Sequence, residues 1–183
     1  MNIILTGFRG SGKTVIGREL ASSLGLKFID TDDEIERNTG KSIARIFETG
    51  GEARFRELER EQVLKACRLD RHVIAVGGGA VENAELSAAM QEAGVVILLT
   101  APASVLYERI KLDKNTLSRR PSLTEKEGLA EVEELLERRK EAYHGTANLK
   151  VETASLTPAE VAGVILDNIK NSRWGSNFSN IIT

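Results

Sequence analysis

Cysteine is nearly absent. Cys67 is the one thiol of the chain, so an internal disulfide and a cysteine-based metal cluster are both excluded. His72 and His144 stand apart from each other and from Cys67, and no zinc-type spacing results. Cys67 lies among Val63, Leu64 and Ala66 in a helical pattern, where a buried structural thiol is expected. Charge of one sign is lacking too. Lys and Arg number 25 against 27 Asp and Glu, a net charge of −2, which leaves no basic field for a nucleic-acid partner. Aromatic residues make up 4% of the chain, and Trp174 is its one tryptophan. No apolar run reaches transmembrane length, and the first one, Ile3 to Leu5, is too short for a signal peptide. A soluble, cytoplasmic monomer without a membrane partner is the expectation. There is no internal repeat and no interdomain linker.

What the sequence does have is concentrated at its start. Gly7-Phe8-Arg9-Gly10-Ser11-Gly12-Lys13-Thr14 fits G-x-x-x-x-G-K-[ST]. A short apolar strand pattern precedes it, and a helical pattern (Val15, Ile16, Leu20, Leu24) follows. Glycines in this setting let successive backbone N–H groups point inward at a helix N-terminus, making a concave anion site. Lys13 then brings a compact positive charge to the β- and γ-phosphates, and the Thr14 hydroxyl can ligate Mg²⁺. A nucleoside triphosphate is the expected ligand. A dinucleotide fingerprint is excluded, because position 15 is Val where G-x-G-x-x-G needs glycine.

Further along, apolar strand-like runs alternate with helical segments. Strands are expected at 2–6, 27–30, 73–76, 95–100 and 149–152. Helices are expected at about 13–24, 32–38, 43–48, 52–68, 83–92, 103–111, 125–144 and 158–170. Runs such as Val95-Val96-Ile97-Leu98-Leu99 read as strands buried on both faces, hence an α/β fold with a parallel sheet and right-handed crossovers. Residues 1–170 form one expected domain. The polar segment 111–124 contains Arg119-Arg120-Pro121 and reads as a mobile lid that excludes water and delivers arginine charge. Residues 171–183 read as a flexible tail with Trp174 as its anchor.

Three constellations suggest an acceptor. Asp30, Asp32 and Asp33 follow the second strand, where ligands of open α/β sheets bind. Strand periodicity puts Asp30 and Asp32 on one side, one for Mg²⁺ and one for an attacking hydroxyl. Helix capping by Thr31 or Asp32, with Asp33 favouring the helix dipole, is the competing reading. Gly77-Gly78-Gly79 ends the third strand, and so many glycines imply positive φ or a close backbone approach. Arg139 lies on an inward helical stripe with Val132, Leu136 and Tyr143 and no acid at helix-pairing distance, so it needs an anion from elsewhere. Arg138 has Glu134 and Glu141 at pairing distance. Arg56 is ambiguous, since Glu52 and Glu59 can both pair with it.

Together these motifs resemble the shikimate kinases. The matched elements are Gly7–Thr14, Asp30-Thr31-Asp32, Gly51-Glu52 with Phe55-Arg56, Gly77–Ala80, Arg120-Pro121, and Arg139 with Tyr143. They run in the family's order over residues 1–170. The resemblance implies a three-layer P-loop kinase fold with a five-stranded parallel sheet of order 2-3-1-4-5 and helices on both faces. It implies ATP as donor, Mg²⁺, and phosphorylation of the 3-hydroxyl of shikimate in aromatic amino-acid biosynthesis. Residue by residue, Gly10, Ser11, Gly12, Lys13, Thr14 and Val15 would hold the nucleotide, and Arg109 would stack on adenine. Thr14 and Asp30 would serve Mg²⁺. Asp32 would hold the acceptor hydroxyls and take the proton, Arg56 and Arg139 would clamp its carboxylate, and Gly78 and Gly79 would lie against the ring. Lys13, Asp32 and Arg120 would be catalytic, with Arg119 a rival for the part of Arg120. Another small-molecule kinase of this fold, such as a gluconate kinase, and a non-catalytic nucleotide-binding module are the alternatives.

Overall fold

The apolar run that enters the glycine loop forms β1 (Asn2–Gly7), buried along its whole length. The computed structural model describes residues 1–112 and 127–175. Four more strands follow: β2 (Lys27–Asp30), β3 (His72–Ala75), β4 (Gly94–Thr100) and β5 (Leu149–Glu152). All pairings are parallel, in the order β2-β3-β1-β4-β5 that the resemblance implied. Seven α-helices connect or flank them among the described residues: α1 (Lys13–Leu24), α2 (Thr31–Thr39), α3 (Ile43–Cys67), α4 (Ala84–Ala93), α5 (Ala103–Leu112), α6 (Leu129–Thr146) and α7 (Pro158–Lys170). A 3₁₀ turn spans Ala80–Glu82.

Alternation along the strands builds the layers. Ile3 and Leu5 of β1, with Val95, Ile97 and Leu99 of β4, pack on Leu20 of α1 and Val161 and Ile165 of α7. Ile4, Val96 and Leu98 point the other way, onto Val63 of α3, Met90 of α4 and Tyr143 of α6. Both sheet faces are therefore covered, which is why the central strands read as unbroken apolar runs. A separate cluster of Ile35, Ile43, Ile46 and Phe55 holds α2 against α3, with the Phe47 and Phe55 rings stacked 4.8 Å apart.

The helix ends follow local chemistry. The Ser42 hydroxyl accepts from Arg45 N–H, the Asn83 side chain accepts from Glu85 and Leu86, and Thr157 with Glu160 forms a capping box. The two helices expected at 43–48 and 52–68 run together as α3, interrupted where Gly51 takes φ 70° and ψ −177°. The helix expected from 125 begins at Leu129, after Gly128 at φ 66° and ψ −134°. Cys67 closes α3 half-buried, and burial pushes its thiol up to about 11. Trp174 packs against the core cluster between the sheet and α1 and α7, while residues 176–183 lie outside the described residues. Among the described residues, no helix is long and apolar enough to cross a membrane.

Candidate active site

Four of the loops that matter leave the sheet at the carboxyl ends of β1, β2, β3 and β5. After β1 the phosphate loop curls through Gly7, Gly10 and Gly12, at φ 143°, 81° and 94°. A β-carbon on Gly7 would run into the Leu99 carbonyl, and one on Gly10 would come within 3.0 Å of the Leu106 carbonyl. Phe8 O accepts from Ser11 N–H at 3.1 Å, closing the loop onto α1. Lys13 Nζ reaches back across it and donates to Gly7 O at 2.9 Å and Phe8 O at 3.1 Å. The ammonium thus sits at the loop's mouth, where a phosphate would meet it.

Beside the loop is a cavity of about 280 Å³ lined by Gly10, Ser11, Gly12, Val15, Arg109 and Thr153, with Leu156 and Pro158 at its wall. The Arg109 guanidinium donates to Thr153 Oγ1 at 2.9 Å and Thr153 O at 2.7 Å, which fixes its plane against the cavity. Thr153, Leu156 and Pro158 were missed in the sequence. They follow β5 at the far end of the chain and belong to no motif, and only their place at a strand's carboxyl end marks them.

Asp30 ends β2 and does two jobs. Its Oδ2 accepts from Thr14 Oγ1 at 2.7 Å, and its Oδ1 accepts from Asp32 N–H at 3.1 Å as the N-cap of α2. This corrects the sequence reading twice. The cap is Asp30, not Thr31 or Asp32, and Asp32 lies in the first helical turn, so strand alternation does not relate the two acids. Burial raises the Asp30 pKa and the neighbouring Asp32 raises it further, against the Thr14 hydrogen bond; Asp33 adds to the rise, and Lys13 opposes it. The surplus negative charge and the hard oxygens of Thr14 and Asp30 suit a divalent cation. Two side chains fit Mg²⁺, which keeps most of its waters, better than a closed cage would. Among the described residues there is no cluster of three or more His, Cys, Asp or Glu that could hold a metal.

The glycine turn after β3 faces the phosphate loop. A β-carbon on Gly78 would lie 2.9 Å from Gly7 O and 3.2 Å from the Tyr143 hydroxyl, and that hydroxyl donates to Gly78 O at 2.6 Å. At Gly79 the added carbon would collide with the Arg56 guanidinium. Positive φ is not the reason for these glycines, since Gly79 has φ −94°; close packing is.

Arg56 pairs on its own helix with both candidates, donating to Glu52 Oε1 at 3.0 Å and Glu59 Oε2 at 2.7 Å. Burial alone would lower its pKa, but Glu59, itself buried, and Glu52 outweigh it and the net shift is upward. Arg139 is 4% exposed, and its Nε donates to Glu82 Oε2 at 2.7 Å. That acid is the anion from elsewhere. It sits on the 3₁₀ turn, which a search along Arg139's own helix cannot reach. Arg138 binds the same carboxylate, Nε to Oε1 at 3.1 Å. The Phe8 ring lies 5.9 Å from the Arg139 guanidinium carbon. Arg139 Nη2 is buried and has no hydrogen-bond partner among the described residues. The fold therefore gathers Lys13, Thr14, Asp30, Gly78, Gly79, Arg56 and Arg139 around the phosphate loop and the glycine turn, with Asp32 close enough to act on Asp30. Arg119 and Arg120 lie outside the described residues.

The shikimate kinase family model matches residues 9–170. A shikimate kinase of Caldanaerobacter subterraneus subsp. tengcongensis is 41% identical over 165 residues, covering 90% of this chain and 94% of the relative. Among solved structures, the Acinetobacter baumannii shikimate kinase in complex with shikimate superposes with a TM-score of 0.87 at 35% identity, covering 94% of each chain. The Aquifex aeolicus shikimate kinase gives 0.79 at 36% identity, covering 96% of this chain and all of the other. A phosphate loop facing two arginines across a glycine turn, and relatives of this kind along nearly the full length, carry one conclusion: the chain belongs to the shikimate kinase family of ATP-dependent kinases.

Proposed function

We propose that this chain moves the γ-phosphoryl group of ATP onto the 3-hydroxyl of shikimate, with Lys13, Asp32 and Arg120 as the catalytic side chains. The observation that carries the acceptor assignment is the buried Nη2 of Arg139, a charged donor with no partner among the described residues. A bound carboxylate would satisfy it, and Arg56 supplies a second guanidinium at the same glycine turn. Gluconate also carries a carboxylate, but the conjunction of Asp32, the two arginines and the glycine turn matches the family motif. A switch protein would have no use for them.

The chemistry asks mainly for alignment and positive charge, because phosphoryl transfer passes through a loose transition state with little covalent work for the protein. The acceptor oxygen bonds to the γ-phosphorus, the bond from that phosphorus to the β–γ bridging oxygen breaks, and the hydroxyl proton goes to Asp32. Lys13 stabilises charge on the transferring group, and Arg120 joins it from the lid assigned to about 111–124. Gly10, Ser11, Gly12, Thr14 and Val15 form the nucleotide cradle, with Arg109 against adenine. Thr14 and Asp30 would hold Mg²⁺, which when bound neutralises charge on the β- and γ-phosphates. One kinase domain over 1–170, a monomeric state and work in the cytoplasm without nucleic acid or membrane complete the proposal.

The test is ADP release, coupled to NADH oxidation, with shikimate, with gluconate and with no acceptor. Stimulation by shikimate alone is the expected result. Rates with shikimate equal to the blank would overturn the assignment.

A further inference from the structure

We propose that Glu82 is a positioning residue for the acceptor's carboxylate, acting through Arg139; this rests on the reading that Arg139 binds that carboxylate. Glu82 ends the 3₁₀ turn that follows the glycine turn directly. Gly77 O accepts from Ala80 N–H and Gly79 O from Glu82 N–H, each at 3.0 Å, so the carboxylate is tied to the same backbone that packs against Arg56.

The geometry of the contact is selective. Glu82 takes Arg139 by Nε at 2.7 Å instead of by the terminal fork of nitrogens. A guanidinium is planar and rigid, so a bond at Nε sets the direction of both terminal nitrogens. Nη2 is then buried without a partner among the described residues, although an ion pair built for stability alone would have used it. Burial adds weight, since the Arg139 side chain is 5% exposed while those of Glu82 and Arg138 are 31% and 46% exposed.

Charge points the same way. Glu82 divides its two oxygens between Arg138 and Arg139, so Arg139 receives only one of them and its own charge is not fully matched by this carboxylate. Arg138 offsets Glu82, which lets an acid stand beside the pocket without repelling an anionic substrate. Glu82 thus orients the guanidinium, and Arg138 keeps the field positive.

The test compares Glu82→Ala, Glu82→Gln and Glu82→Asp with the wild-type chain. The readouts are KM for shikimate and for ATP, shikimate binding by calorimetry, and the melting temperature. Glu82→Ala is expected to raise the KM and Kd for shikimate about tenfold or more, the scale of one charge-assisted hydrogen bond, with the KM for ATP within about twofold. Glu82→Gln keeps an oxygen for Arg139 Nε and should recover most of that loss. Glu82→Asp, one methylene short, should not, and this pair keeps the test decisive if the alanine variant does not fold. An unchanged shikimate KM in Glu82→Ala, equal losses for Ala and Gln, or parallel losses for both substrates would each overturn the proposal. If the wild-type chain itself fails on shikimate, the acceptor reading falls and takes this inference with it. Failure of the Glu82 variants on an active wild-type background leaves that reading standing.

Discussion

Glycines serve both ends of the site but for different reasons. In the phosphate loop, Gly7, Gly10 and Gly12 hold φ between 81° and 143°, a region that other residues enter only with strain. In the turn after β3, Gly79 has an ordinary φ of −94°, and a side chain is excluded by the guanidinium of Arg56. The phosphate cradle is thus specified by the backbone within one short stretch. The acceptor end is specified by side chains that α3, α6 and a 3₁₀ turn bring together.

Several substitutions can break this contrast. Lys13→Ala should lower kcat by about 10²–10³-fold, the loss seen when one preorganised donor to the transition state is removed. Shikimate binding measured by calorimetry should survive it, and a matching loss of affinity would erase the division between the two ends. Arg139→Ala should raise the KM for shikimate by about tenfold to a hundredfold, with the KM for ATP nearly unchanged. Equal effects on both substrates would make Arg139 a structural residue. The glycines give the sharpest pairing. Gly79→Ala meets the flexible guanidinium end of Arg56 first, so it should raise the shikimate KM several-fold with little change in melting temperature. Gly7→Ala meets the Leu99 carbonyl at positive φ, so strain of about 1–3 kcal/mol should lower the melting temperature by several degrees.

The smallest effect concerns Asp30. Its pKa is raised in the folded chain, so folding favours the protonated acid, and that contribution fades as pH rises through the folded value. In the ligand-free protein, Asp30→Asn should therefore match the wild type in strong acid and gain on it as pH increases toward neutrality. Melting curves across that range, which would show no trend if Asp30 were unperturbed, provide the check.

The same contrast explains what could be read in advance. The strands and the phosphate loop were legible because strand burial and glycine geometry are local properties of contiguous residues, whereas the sheet order was implied only by the family resemblance. Arg56 was legible as an ambiguity, since both of its acids lie on its own helix. Glu82 was not, because its partners Arg138 and Arg139 stand more than fifty residues away. Asp30 misled for a subtler reason. The strand stops at the residue where periodicity was still being counted, and capping takes over at that atom. Thr153 and Pro158 needed the sheet's edge to bring them to the loop.

Trp174 has a practical consequence. It follows α7, which runs back along the sheet away from the loops, and Arg173 lies 4.7 Å from its ring centroid. Its near-ultraviolet emission will report whether the C-terminal end stays docked on the core, and it makes a good unfolding probe. For ligand titrations it is badly placed. Tyr143, hydrogen-bonded to the Gly78 carbonyl, is the native chromophore that looks into the acceptor turn. Difference absorbance of that phenol, after replacing the other tyrosine, Tyr107, would follow shikimate without any added label.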